Sequence, residues 1–112
     1  MSIANTFIVG SLIREPEMRT VGDNQKVTVM VIAVKHDPKG DNVSFFTIET
    51  WGKRAELCKN YLKKGSKILI SGQLRQDRWK DDKGELHSRI KIIAKEIQFL
   101  SKMKKIEKKE AA

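Results

Sequence analysis

The stretch Ser44-Phe45-Phe46-Thr47-Ile48-Glu49-Thr50-Trp51-Gly52 alternates as a β-strand does, with successive side chains on opposite sides. Phe46, Ile48 and Thr50 make a face suited to a core. Phe45, Thr47, Glu49 and Trp51 make the other, which is polar apart from two large aromatic rings. A face that only meets water has no use for two such rings. It packs within its own molecule or stacks against a flat ligand.

Working outward from this strand, residues 26–34 form a run dense in β-branched side chains. Val27, Val29, Val31 and Ala33 alternate with Thr28, Met30, Ile32 and Val34, so both faces are apolar. That pattern predicts cover on both sides, by the core and by a further surface such as a second subunit. The turn-rich His36-Asp37-Pro38-Lys39-Gly40-Asp41-Asn42 joins the two runs as an antiparallel hairpin. Earlier still, Phe7-Ile8-Val9-Gly10-Ser11-Leu12 reads as a first strand in which Gly10 permits close approach of another backbone. Arg14-Glu15-Pro16-Glu17 then breaks the pattern, because proline has no N–H to give a ladder.

Downstream the period changes. Ala55, Leu57, Cys58, Tyr61 and Leu62 recur at helical spacing over residues 53–64, and Gly65 is placed to end that helix in a left-handed conformation. One apolar stripe on a short helix suits a plug over the end of a barrel. Residues 67–79 read as a fourth strand, with Trp79 on the face of Arg75 and opposite Leu74. The polar loop Lys80-Asp81-Asp82-Lys83-Gly84-Glu85 and a fifth strand over residues 87–97 follow. Five strands with one helix between the third and fourth is the order of an OB-fold, an all-β Greek-key barrel that binds oligonucleotides or oligosaccharides on its second and third strands. Residues 1–100 form one such domain. The lysine-rich segment at 101–112 has little to bury and is expected to fray.

Charge points to the ligand. The chain carries +9 over its 112 residues, yet five basic and six acidic side chains give the first 50 residues −1, leaving +10 on the rest. Such asymmetry favours a polyanion, nucleic acid before an anionic membrane. No apolar run approaches the roughly 20 residues of a membrane helix, and no signal peptide is evident. The lone Cys58 fits a reducing cytoplasm. Catalytic chemistry is thin: His36 and His87 lack ligand spacing, no cysteine pair is present for zinc, and no glycine-rich phosphate loop occurs. Cys58, within the helical stripe, reads as a small core residue. The chain is therefore expected to be no enzyme and to need no cofactor. Binding features are stronger. Phe45, Trp51 and Trp79 each stand on a polar strand face, Thr47 beside the first two, with Lys53, Arg54, Arg75, Arg78 and Lys80 flanking. Aromatic platforms in a basic groove bind single strands with little sequence preference, since every base has a π-face.

Those residues carry a resemblance to the bacterial single-stranded DNA-binding proteins. It runs from about Asn5 to Leu100 through Ile8-Val9-Gly10, Glu15-Pro16-Glu17-Met18-Arg19, Trp51-Gly52-Lys53-Arg54-Ala55-Glu56-Leu57, Gly72-Gln73-Leu74-Arg75, Trp79 and Glu96-Ile97-Gln98-Phe99-Leu100. The resemblance implies an OB-fold subunit, a homotetramer, and cover of single-stranded DNA during replication, recombination and repair. It assigns stacking to Phe45, Trp51 and Trp79 and places Lys53, Lys64 and Arg78 along the DNA path. One further aromatic expected in the loop after the second strand has no counterpart, and His36 is its nearest substitute. Members of the family usually end in an acidic tip that recruits repair and replication enzymes; this chain has a lysine-rich tail instead, which puts such recruitment in doubt. Tail-less relatives that act as dimers in replication restart, and RNA-binding OB modules, are the alternatives.

Overall fold

The computed structural model describes residues 3–100. The expected basic tail at 101–112 lies outside the described residues. Six strands and one helix follow in the order β1 (Asn5–Leu12), β2 (Glu17–Val21), β3 (Gln25–Lys35), β4 (Val43–Trp51), α1 (Lys53–Tyr61), β5 (Lys67–Lys80) and β6 (Leu86–Phe99). Five of these strands are those read from the sequence, and the helix stands between the third and fourth of the five. The sheet runs β1-β5-β6-β4-β3-β2, and β1 also pairs with β3 through Ser11–Ala33 and Leu12–Ile32. That second pairing closes the sheet on itself as an OB-fold barrel.

Closure depends on two glycines. A Cβ on Gly10 would stand 2.5 Å from the Ala33 carbonyl oxygen, and one on Gly72 would stand 2.3 Å from that of Ile93. Gly10 thus meets the close backbone approach that its position in the first strand implies. Gly72 marks a bulge: Ser71 pairs with Glu96 but Gly72 with Ala94, so Lys95 is the extra residue on β6. A bulge bends a strand and increases its twist, which a small barrel needs to close.

The core is the inward face of this barrel. Met30, Ile32, Ile48, Ile68, Ile70 and Ile92 are fully buried, with Leu12, Cys58 and Leu62 joining them. The helix lies over one end, and the Thr28 hydroxyl donates to the Ala55 carbonyl at 2.7 Å, tying it to β3. On β3, Thr28, Met30 and Ile32 face inward, while Val29, Val31 and Ala33 are half-covered, so the subunit alone leaves part of that outer face to solvent.

Three details depart from the sequence reading. Residues 17–21 form a strand, β2, directly after the proline break. All five of its residues are exposed at the sheet edge, so no alternation of apolar side chains marks it. The helix ends at Tyr61, not near Lys64, with Leu62 already extended and buried. Gly65 does take a positive φ of 93°, but in the turn leading to β5, where its N–H reaches the Leu12 carbonyl at 2.8 Å. Leu57, expected in the buried stripe, points to solvent, leaving Ala55, Cys58 and Leu62 to seal the barrel end.

Because the closest contact at each site is a backbone carbonyl, neither glycine site can yield by turning a side chain. Gly10→Ala and Gly72→Ala are each expected to lower unfolding stability by about 1–3 kcal/mol, the usual cost of overpacking. Urea unfolding followed by circular dichroism measures it.

Candidate nucleic-acid interface

Strand register assembles one continuous outer face. Directly paired residues share a side of the sheet. Phe45, Thr47, Glu49 and Trp51 of β4 pair with Ala33, Val31, Val29 and Val27 of β3. On its other edge, β4 pairs in parallel with β6, Thr47 opposite Lys91 and Glu49 opposite Ile93. From β6 the same side passes to β5, where Lys91 meets Arg75, Arg89 meets Asp77 and His87 meets Trp79. Five of the eight residues singled out from sequence, Phe45, Thr47, Trp51, Arg75 and Trp79, therefore lie on one side of one sheet. The other three do not share it. Arg78 pairs with Ser88 on the reverse of the β5–β6 hairpin. Lys53 opens α1. Lys64 sits in the connection after α1, its backbone N–H donating to the Glu15 carboxylate at 3.0 Å.

The three aromatic rings are open to solvent, 62% for Phe45, 38% for Trp51 and 45% for Trp79. None serves as core. Trp51 forms one wall of a recess of roughly 570 Å³ whose other walls include Lys26, Lys53 and Glu56. Lys26 and Glu56 face each other there at 3.7 Å. Trp79 stands on the long β5–β6 hairpin, where the His87 ring lies nearly parallel to it, 20° between planes and 5.7 Å between centroids. The Arg89 guanidinium is 5.7 Å from the Trp79 ring centroid, within cation–π range.

At the centre of the face, Lys91 is held between two carboxylates, 2.9 Å from Glu49 and 2.9 Å from Asp77. Its side chain is only 16% exposed. The hydrogen bond to Asp77, and then the Glu49 carboxylate, hold the ammonium above the ordinary lysine value against the opposing effect of burial. Lys91 is thus a structural cation that pins β4, β5 and β6 together. Sequence reading missed it, along with Arg89 and the ring role of His87. Each depends on which residues face one another across strands, which register alone reveals.

Catalytic groups are sparse among the described residues. Burial pushes the Cys58 thiol up to about 11, outweighing the Thr50 hydrogen bond and the Arg54 charge. A thiol so buried and so weakly acidic is a core residue, as its place in the helical stripe implies. His36 bonds Ser44 at the β3–β4 turn and His87 lies on β6, so the two imidazoles stand on separate hairpins. No helix among the described residues is long and apolar enough to cross a membrane.

A closed OB barrel with solvent-facing aromatic rings and arginines on one sheet face defines an oligonucleotide-binding type of architecture. Comparison with known proteins narrows it. Residues 3–100 match the Single-strand binding protein family, and the chain belongs to that family. It is 33% identical over 109 residues to a protein of Thermotoga maritima named single-stranded DNA-binding protein, covering 91% of this chain and 77% of the relative. Proteins of the same name from Wolinella succinogenes and Caldanaerobacter subterraneus are 36% and 33% identical, each over 84% of this chain. The chain spans 62% and 65% of the length of those two relatives.

Removing the central cation leaves Glu49 and Asp77 facing one another uncompensated. Lys91→Met is expected to cost about 1.5–3 kcal/mol in urea unfolding at neutral pH, the range for hydrogen bonds to charged groups. The raised value also fixes the sign of the pH effect. The contribution is complete below the ordinary lysine value of 10.5 and is lost as pH rises above it. The gap between wild type and Lys91→Met therefore closes as pH rises through the raised value.

Proposed function

We propose that this chain binds single-stranded DNA with little regard to sequence and covers it during replication, recombination and repair, without catalysis. The observation that carries this reading is the outer face of β4, β6 and β5, on which Phe45, Trp51 and Trp79 are all exposed. Bases stack on those rings, while Thr47 and Arg75 line the path between them and Lys53 stands at the Trp51 recess. Lys64 and Arg78 contact phosphates where the strand leaves this face. Each stacked base contributes about 1–3 kcal/mol and is indifferent to base identity. Lysine and arginine contacts to phosphate release counterions, so affinity falls as salt rises. Membership of the Single-strand binding protein family and the names of the relatives support the same ligand and a place in the bacterial cytoplasm.

The working unit in this proposal is a homotetramer. Supporting it, residues 5–10 of β1 pair only with β5, which leaves an open strand edge among the described residues. An open edge recruits another strand. Phe7, 76% exposed, and the outward Val9 lie on that strand. Val29, Val31 and Ala33 on β3 are half-covered apolar side chains of the kind a second subunit would shield.

The two tryptophans, Trp51 and Trp79, report binding directly, as the chain has no others. Oligo-dT is expected to quench their fluorescence strongly, duplex DNA weakly, and salt to reverse the effect; oligo-rU tests the RNA alternative in the same format. Phe45→Ala and Trp79→Ala should each weaken binding by about 1–3 kcal/mol while leaving the circular dichroism spectrum unchanged. No quenching at low salt would defeat the stacking reading. Light scattering tests assembly: four copies of 12.8 kDa are expected for wild type and a smaller mass for Phe7→Glu.

A further inference from the structure

The tip of the β5–β6 hairpin is built around an imidazole. His87 lies cross-strand from Trp79 with its ring nearly parallel, and its Nε2 is 2.7 Å from the Asp81 carboxylate. The other Asp81 oxygen accepts the backbone N–H groups of Lys83 and Glu85, each at 2.9 Å, so the carboxylate is fixed by the turn itself. Side-chain polar atoms of Asp81, Glu85 and His87 all lie within 4.8 Å of one another. Asp81 and Glu85 thus stand at the imidazole, in a turn that also carries Lys80, Asp82 and Lys83, while Arg89, two residues along the same strand, lies over the Trp79 ring. The nearest acid on the same side of β5, Asp77, is already bonded to Lys91.

This arrangement has a consequence for any strand stacked on Trp79. A base on that ring brings its phosphate toward the turn. With His87 neutral, the phosphate meets the Asp81 and Glu85 carboxylates, with Arg89 over the ring and Lys80 and Lys83 in the turn as the neighbouring cations. With His87 protonated, one of those carboxylates is compensated and a donor is available beside the ring. Resting on the single-stranded DNA reading above, we propose that His87 is a nucleic-acid contact of the Trp79 subsite. Its imidazole widens the stacking surface, and its charged form supplies the cation that admits a phosphate beside Asp81 and Glu85. The Asp81 carboxylate orients the ring for both tasks. Hydrogen bonding to His87, and then to the Glu85 backbone, holds that carboxyl below the usual aspartate range, so Asp81 stays ionised.

The test is a titration of the full chain with oligo-dT at about pH 8 and about pH 5.5, which brackets the range where histidine changes charge. Wild-type affinity is expected to tighten about two- to fivefold at the lower pH, the range of a surface ion pair. The slope of log affinity against log salt should steepen there by about one, as one more phosphate is neutralised. His87→Gln should bind more weakly than wild type at pH 8 and lose the pH response. His87→Phe should keep the pH 8 affinity, since it keeps a ring, and also lose the response. His36→Gln, the only other histidine, should retain it. A pH-independent wild type, a response that survives His87→Gln, or one abolished by His36→Gln overturns the charge role. Equal weakening by His87→Phe and His87→Gln at pH 8 overturns the stacking role. A wild type that fails to bind oligo-dT at either pH defeats the DNA-binding reading itself, and this inference with it.

Discussion

The barrel closes where the backbone of Gly10 lies against the Ala33 carbonyl and where Gly72 lies against that of Ile93. Everything on the outer surface follows from that closure. With β1 seated on both β5 and β3, Ile32, Ile48, Ile68, Ile70 and Ile92 must all point inward to fill the enclosed space. The residues between them on each strand then have no choice but to point outward. Phe45 and Trp51 stand in solvent because Phe46, Ile48 and Thr50 are committed to the core side.

Outward projection alone would leave three rings on a flexible surface. The Glu49–Lys91–Asp77 bridge supplies the rigidity, linking the strand that carries Phe45 and Trp51 to the hairpin that carries Trp79. It also removes one lysine from the pool of cations open to a ligand. The free positive charge of the face comes from its arginines, Arg75 near the barrel and Arg89 beside Trp79. Guanidinium groups stack on flat rings as well as pairing with phosphate, which suits a surface where bases and backbone arrive together.

Much of this was legible because the informative strands are buried on one side only. A strand such as β4 announces its two faces by strict alternation, and placing Trp79 with Arg75 needed only the same counting along β5. The short β2 left no such trace, since an edge strand with every side chain exposed has no apolar period. The helix end was misplaced for a related reason: Leu57 and Leu62 are equally apolar in sequence, but only Leu62 reaches the core, from an extended backbone after the last turn. The Lys91 bridge and the Trp79–His87 stack were beyond sequence reasoning altogether. Both join residues on different strands, and a shift of one position in register would have paired each with another neighbour.

Photo-crosslinking with an oligo-dT carrying 5-iodouracil, followed by mass-spectrometric mapping, tests the central claim most directly, because that base couples to the aromatic ring on which it stacks. The account predicts adducts on Phe45, Trp51 and Trp79. Adducts confined to other aromatic residues, such as Phe7 or Tyr61, with those three unmodified at saturating oligonucleotide, would contradict it.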